Sequence, residues 1–365
     1  MHKKQVAVLD VGSSKITVLV GERGVNKTFV IKGKKSFDYE GFSDGTFFDV
    51  EQLKSIVGSA IEYLKSVNRQ AIEPLYVGVP GEFVKVAVKD AQISFNKKKK
   101  ITEVEIERLF DSAFVVSGAS VLINRSAIRY ELDDMRRLAN PIGCYSEILK
   151  GKLTFIVCQN YFIELFDGIL NGLGVKQKEY VSSSLAQAMY LIEPETRDRI
   201  AMLLDVGYIT STFSLVQGDG ILYQKTFSFG GGYITASIAE KYSLNFSLAE
   251  ELKRKINMCK VSQTDYDTIS ADNGEFYSAD ELIKLVKENL DLLCEKIAEA
   301  IDDTGYVIPE YVPLLITGGG ISYLRGAKGH LANRLGLSVE IVTPNVPMMN
   351  IPTESSLLSL LDISL

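Results

Sequence analysis

The chain has 365 residues, 46% of them apolar and 24% charged, with a formal net charge of −6. That length exceeds what one simple core organises and points to two domains or lobes. The acidic balance and the lack of a long basic face argue against nucleic-acid binding. The four cysteines (Cys144, Cys158, Cys259, Cys294) stand far apart with no C-x-x-C pair, as expected of reduced cytosolic thiols rather than a disulfide framework or zinc site. The two histidines, His2 and His330, leave little basis for catalysis by a histidine base.

From the N-terminus, the apolar run Val6–Val20 is broken by Asp10 and Lys15, so it is neither a signal peptide nor a membrane span. It reads as a strand over Gln5–Val11, a turn, and a second strand from Ile16 to Gly21. Asp49 and Gln52 form a capping pattern ahead of Leu53, Ile56, Val57, Ala60, Ile61 and Leu64, a helical stripe. Strands follow at Leu75–Val79 and Phe83–Val88, and Lys97–Lys100 read as a solvated loop. Thr102 with Glu105 opens a helix that turns Ile106, Leu109, Phe110 and Ala113 inward. Leu153–Cys158, Ile200–Val206 and Thr212–Val216 are strand-like. Ser247 with Glu250 and Ser278 with Glu281 open two more helices, the second long and ended by Gly305. A last strand covers Leu314–Thr317. Strands mixed with helices make this an α/β protein.

The tetrapeptide Leu-Asp-Val-Gly occurs twice, at Leu9–Gly12 and Leu204–Gly207, each time between an apolar strand and a hydroxyl-rich stretch with strand character. A similar lobe used twice explains the recurrence. Glycine allows backbone N–H groups to approach an oxyanion closely; Ser13, Ser14 and Lys15 add donors and a positive charge. Asp10 and Asp205 would repel phosphate unless a divalent cation lay between them, an arrangement that suits Mg²⁺. Two such turns facing each other would clamp a nucleotide tail. A third glycine-rich turn, Gly318–Gly320, follows the strand at Leu314–Thr317. Another stretch, "FGGGYITASIAEKY" from Phe229, is followed by a helix on which Glu250 and Lys253 share a face; taken alone, that pair reads as a surface ion pair.

These residues resemble the actin-like ATPases, the group of actin, sugar kinases and DnaK-type chaperones. Leu9–Lys15 resembles the first phosphate motif, Leu204–Thr212 the second, and Ile316–Gly326 the adenosine motif. Within that group the chain is similar to the FtsA family of bacterial cell-division proteins. "LDVGSSKITVLVGE", "LYVGVPGEFVKV", "IRYELDD" with "ANPIG", "SLAQAMYLI" and "ITASIAEKYSLNFSLAEELKRK" carry that narrower resemblance. It implies the actin-like ATPase fold, two related lobes around a nucleotide cleft, with an FtsA-type inserted subdomain. It also implies ATP or ADP with Mg²⁺ as ligands. Asp10, Gly12, Ser13, Ser14 and Lys15 would form the first phosphate loop, and Asp205, Gly207 and Thr210 the second. Asp10 and Asp205 would serve the metal. Gly318, Gly319, Gly320 and Ser322 would border the adenine, Glu250 and Lys253 would lie near ribose and base, and Gly231 would floor the pocket.

The implied organisation assigns residues 1–82 and 162–202 to the core of lobe 1, and 83–161 to an inserted subdomain that meets neighbouring subunits in a filament. Residues 203–250 and 306–348 form the core of lobe 2, 251–305 a tip that receives the C-terminal tail of FtsZ, and 349–365 a helix returning to lobe 1. Lys284, Lys287 and Lys296 are the cations assigned to the FtsZ tail. The implied protein is cytoplasmic, at the inner face of the membrane or the division septum, and self-associates into filaments.

Two departures modify this picture. Tyr208 and Ile209 stand where the second phosphate motif has glycines, and Thr212 where it closes on Asp. A β-branched residue there stiffens the loop, and the helix before it offers Ser183 and Ser184, with Gln187 one turn on, rather than a clear residue to orient water. ATP hydrolysis is therefore expected to be slow or absent. The terminal "TESSLLSLLDISL" has Glu354 and Asp362 but no Lys or Arg, unlike a basic interfacial helix. It reads as a core helix, so membrane attachment is indirect or needs an anchor absent from this sequence. Two other readings stay open: an actin-fold small-molecule kinase, and a scaffold of the PilM type from pilus assembly, which shares stretches like "LNFSLAEELKR".

Overall fold

A computed structural model describes residues 4–25, 28–43, 45–114, 118, 120–259 and 267–365; His2 lies outside them. The first sheet is ordered Lys178–Ser182, Leu75–Val79, Gln5–Val11, Lys15–Arg23, Phe29–Asp38. Its central strand runs parallel to Leu75–Val79 and antiparallel to Lys15–Arg23. The second sheet, Gly220–Phe227, Ser211–Gln217, Ala201–Val206, Leu314–Thr317, Val339–Ile341, repeats that order and those directions. In the first sheet Asp10 stands opposite Thr17 and Gly78; in the second Asp205 stands opposite Thr212 and Thr317. The repeated tetrapeptide thus marks one structural position in two lobes of the same design, the actin-like arrangement.

Central strands covered on both faces need near-continuous apolar sequence, because successive side chains point to opposite sides. Ala7 and Leu9 pack under the helix Val50–Asn68 through Leu53, Val57, Ala60 and Ile61. Val6 and Val8 pack instead against Leu357, Leu358 and Leu361 of the helix Ser355–Ser364. In the second lobe, Leu204 and Val206 share a core with Ile234 and Ile238 of Gly231–Tyr242 and with Leu282, Val286, Leu290 and Leu293 of Ala279–Asp302.

The helix Ser183–Leu191 joins the lobes. Leu185 belongs to one face of the first lobe and Ala186 to the other, while Ala188 packs with Ala201, Leu203, Val216 and Leu315 of the second sheet.

Between Val84 and Gln159 lies a separate antiparallel sheet, ordered Val84–Lys100, Tyr145–Gln159, Ser120–Leu132, Arg137–Leu138, with the helix Glu103–Ala113 against it. The solvated-loop reading of Lys97–Lys100 is corrected here. These lysines continue the edge strand, with Lys99 and Lys100 opposite Ser146 and Tyr145. An edge strand needs no apolar alternation on its outer side, and lysines there discourage further strand addition.

Caps follow the sequence at three of the four expected places. Asp49 accepts from the Gln52 N–H, Thr102 and Glu105 form a reciprocal capping box, and Ser278 accepts from the Glu281 N–H. The fourth differs: Asn245, not Ser247, caps the helix Phe246–Lys255 by accepting from the Leu248 N–H. No described helix is long and apolar enough to cross a membrane.

Candidate functional site

The two Leu-Asp-Val-Gly turns are built alike. Gly12 N–H donates to the Lys15 carbonyl at 3.0 Å, and Gly207 N–H to the Thr210 carbonyl at 2.9 Å. A Cβ on either glycine would sit 2.9 or 2.8 Å from that same oxygen, so only glycine closes the turn. The turns also touch across the cleft, with Ile209 N–H donating to Ser13 Oγ at 3.3 Å. Neither Tyr208 nor Ile209 has a positive φ; these bulky residues are accommodated without backbone strain.

Asp10 and Asp205 face each other closely enough that Asp205 raises the pKa of Asp10. Burial, the largest influence, pushes the Asp10 carboxyl up to about 6 against a hydrogen bond from Ser356 Oγ at 2.8 Å. Burial likewise raises Asp205, opposed by Gln187 Nε2, which donates to its Oδ2 at 2.8 Å. Each carboxylate is therefore fixed through one oxygen. Nearby, the buried Ser183 Oγ has no hydrogen-bond partner, and both it and Asp10 Oδ1 crowd the position a Cβ would take on Gly78, at 3.0 and 3.4 Å. Two anchored carboxylates and an orphaned hydroxyl fit Mg²⁺, which is held by one or two carboxylates together with water and phosphate oxygens. No group of three or more His, Cys, Asp or Glu able to hold a metal occurs among the described residues.

The other glycines pack backbone against backbone. Gly231 N–H donates to the Gly207 carbonyl at 2.9 Å and Gly320 N–H to the Val206 carbonyl at 2.8 Å. A Cβ on Gly231 would lie 2.4 Å from the Gly320 oxygen, and one on Gly320 2.3 Å from the Gly207 oxygen. Gly318, at φ +88°, passes so near Asp205 that a Cβ would meet its carboxylate at 2.2 Å. Gly319 faces Thr353, and Ser322 Oγ donates to the Gly318 carbonyl at 2.7 Å.

Glu250 and Lys253 form a buried cluster, not a surface pair. Lys253 Nζ donates to the Gly231 carbonyl and Thr235 Oγ1, both at 2.7 Å, and meets Glu250 Oε2 at 2.6 Å, which occupies its three protons. Burial lowers the Lys253 pKa. Burial also opposes charge on Glu250, but hydrogen bonds from Lys253 and Thr235 outweigh it and hold that carboxyl low. The Tyr208 and Tyr323 rings lie 5.9 and 5.6 Å from Lys253 Nζ. Lys15 is exposed beside Asp10, whereas Ser13, Ser14 and Thr210 are partly buried.

On Ala279–Asp302, Lys284 and Lys287 are exposed one turn apart. Lys296 is partly buried and lies about 180° around the helix from Lys287, at roughly 100° per residue. The first two share a surface and the third does not.

Sequence reasoning missed Ser356 and Glu82. Glu82 follows the buried strand Leu75–Val79 and enters the cleft, where its Oε1 accepts from Thr210 Oγ1 at 3.3 Å. A Val-Pro-Gly-Glu stretch directly after a buried strand was the available signal. Ser356, beside a run of leucines, offered none.

Residues 177–268 match the family model of the type IV pilus assembly protein PilM. The FtsA cell-division protein of Borreliella burgdorferi is 22% identical over 93% of this chain and 86% of its own length. Among solved structures, a chain of the PilM–PilN type IV pilus biogenesis complex aligns with a TM-score of 0.63 at 16% identity, covering 98% of both chains. MreB5 of Spiroplasma citri, solved bound to AMPPNP, aligns with a TM-score of 0.57 at 10% identity, covering 100% of this chain and 96% of that one. The chain thus has the actin-like ATPase fold, and over most of its length its sequence resembles the FtsA family of cell-division proteins.

Proposed function

We propose that the protein is an ATP-binding, actin-like scaffold of bacterial cell division, with at most slow ATP hydrolysis. The observation that carries this reading is the matched pair Asp10 and Asp205, at equivalent strand ends of two lobes of the same design. In it, Asp10 and Asp205 hold Mg²⁺, which neutralises phosphate charge at the turns beginning at Gly12 and Gly207. Gly231, Glu250, Lys253, Gly318, Gly319, Gly320 and Ser322 surround the adenosine. Residues 83–161 serve self-association, and 251–305 receive the FtsZ tail, with Lys284 and Lys287 as its cations. The resemblance to FtsA, whose Borreliella member is aligned over 93% of this chain, supports the division assignment.

A second reading, a PilM-like scaffold for another membrane-associated machine, rests on the match at residues 177–268 and on the structural likeness to the PilM–PilN complex. Its partner would be a pilus-protein N-terminal peptide. Thermal unfolding with ATP and Mg²⁺ tests the nucleotide site: ligand at a hundred times its Kd adds about 2.7 kcal/mol, and no shift at millimolar nucleotide removes the assignment. Binding of the acidic FtsZ tail, compared with a PilN-type N-terminal peptide, separates the two readings. Charge reversal at Lys284 and Lys287 should weaken FtsZ-tail binding in a salt-dependent way.

A further inference from the structure

Hydrolysis of a bound nucleotide needs a group to take the proton of the attacking water. The helix Ser183–Leu191 does not provide a free one. Gln187 is buried and committed to Asp205, and Ser183 and Ser184 are hydroxyls. Asp10 and Asp205 are each fixed by a donor at the metal position. Glu82 is placed differently. It belongs to the short turn Gly81–Phe83, which is anchored by Phe83, fully buried and stacked on Phe47 at 5.5 Å. Gly81 lets this turn of the first lobe press against the second, since a Cβ there would sit 2.3 Å from Thr212 Oγ1 and 2.6 Å from Thr226 Oγ1. Gln159 Nε2 donates to the Glu82 carbonyl at 3.1 Å, and Gln224 Nε2 to the Gly81 carbonyl at 3.2 Å.

Held in this way, Glu82 lines a cavity of about 620 Å³ between the lobes, with Thr46, Gln159, Thr210, Thr226 and Ser228. The lining is polar, and the cavity adjoins the second phosphate turn through Thr210. We propose, resting on the nucleotide-site reading, that Glu82 is the proton acceptor for water attacking the terminal phosphate of ATP in this cleft. The water oxygen bonds to the γ-phosphorus as the bond to the bridging oxygen breaks and its electron pair leaves with ADP. The water proton passes to a Glu82 carboxylate oxygen and then to solvent, and inorganic phosphate is released. Burial, with a smaller push from Asp205, sets the Glu82 carboxyl at about 6 against hydrogen bonds from its own backbone N–H and from Thr210. That leaves it mostly ionised at neutral pH yet more basic than an ordinary glutamate.

The test uses the full chain as wild type, Glu82→Gln and Glu82→Ala. Thermal shift by ATP and by ADP with aluminium fluoride is measured alongside single-turnover ADP formation, with and without added formate. The expected result is an unchanged ATP shift in both variants, with stabilisation by ADP–aluminium fluoride lost. ADP formation should fall by about a hundredfold, and formate should restore it at least tenfold in Glu82→Ala but not in Glu82→Gln. A Glu82→Gln chain that forms ADP at the wild-type rate overturns the proposal, as does a wild type that binds ATP but forms no ADP. A wild type that shows no ATP shift defeats the nucleotide reading itself, a separate outcome.

Discussion

Gln187 donates from its Nε2 to Asp205 Oδ2 at 2.8 Å across the boundary between the lobes, and Ser356 gives Asp10 the same service at the same distance in the first lobe. Ser356 reaches Asp10 from 346 residues away, whereas Gln187 lies 18 residues before Asp205. Gln187→Leu keeps the side-chain bulk and removes the donor, leaving Asp205 to face burial alone. It should cost about 1–2 kcal/mol of stability without ligand and weaken Mg²⁺-dependent nucleotide binding several-fold, as read by urea unfolding and thermal shift. Unchanged nucleotide affinity in a destabilised variant would show that the contact only supports the fold.

Asp10 gives a pH signature. Its folded pKa of about 6 lies above the ordinary 3.8, so the folded state favours the neutral acid. The stability this provides is complete below pH 4 and is lost as pH rises toward 6, by roughly 3 kcal/mol. Asp10→Asn never ionises, so its advantage over wild type without ligand should grow between pH 4.5 and 7.5. The same variant should lose stabilisation by Mg²⁺ and ATP. A constant stability difference across that range would contradict the account.

Lys253 is wired to the Gly231 carbonyl, Thr235 and Glu250, with its side chain 1% exposed. Lys253→Met removes the ammonium from Glu250 Oε2 while Arg254 Nε stays at 2.9 Å from Oε1, and should cost about 1–3 kcal/mol. Adding Glu250→Gln should recover part of that loss, because the carboxylate oxygen that faced the lost ammonium goes with it. Chemical denaturation of the single and double variants reads the difference.

Gly231→Ala forces a methyl group against the Gly320 carbonyl and should destabilise by roughly 1–3 kcal/mol while opening the two loops. Gly168→Ala, on the exposed side of the helix Asn160–Gly172 with nothing within 4 Å, is the control. It should raise stability by about 0.5–1 kcal/mol.

The lobes were legible because their central strands must be apolar on both faces, so Val6–Leu9 and Met202–Leu204 stand out, and because each carries an Asp at its end. The caps at Asp49, Thr102 and Ser278 were legible because capping is settled within four residues. The helix start at Asn245 was misplaced by the equally plausible Ser247, since either residue type suits a cap and only backbone geometry decides. Glu82 meets Thr210 at a separation of 128 residues, and Ser356 meets Asp10 at 346. No local pattern encodes such pairings; the first arises only when the two lobes close on each other, and the second only when the helix Ser355–Ser364 packs back onto the first sheet. Lys253 looked like a surface residue because its helix is rich in charge, and the three acceptors that permit its burial are contributed partly from another element.

The helix Ser183–Leu191 contributes Leu185, Ala186 and Ala188 to three separate packed clusters. Unfolding either lobe strips apolar partners from this helix and exposes surface in the other lobe. The two halves therefore melt as one cooperative unit, and calorimetry should record a single transition whose van't Hoff and calorimetric enthalpies agree, despite the internal duplication.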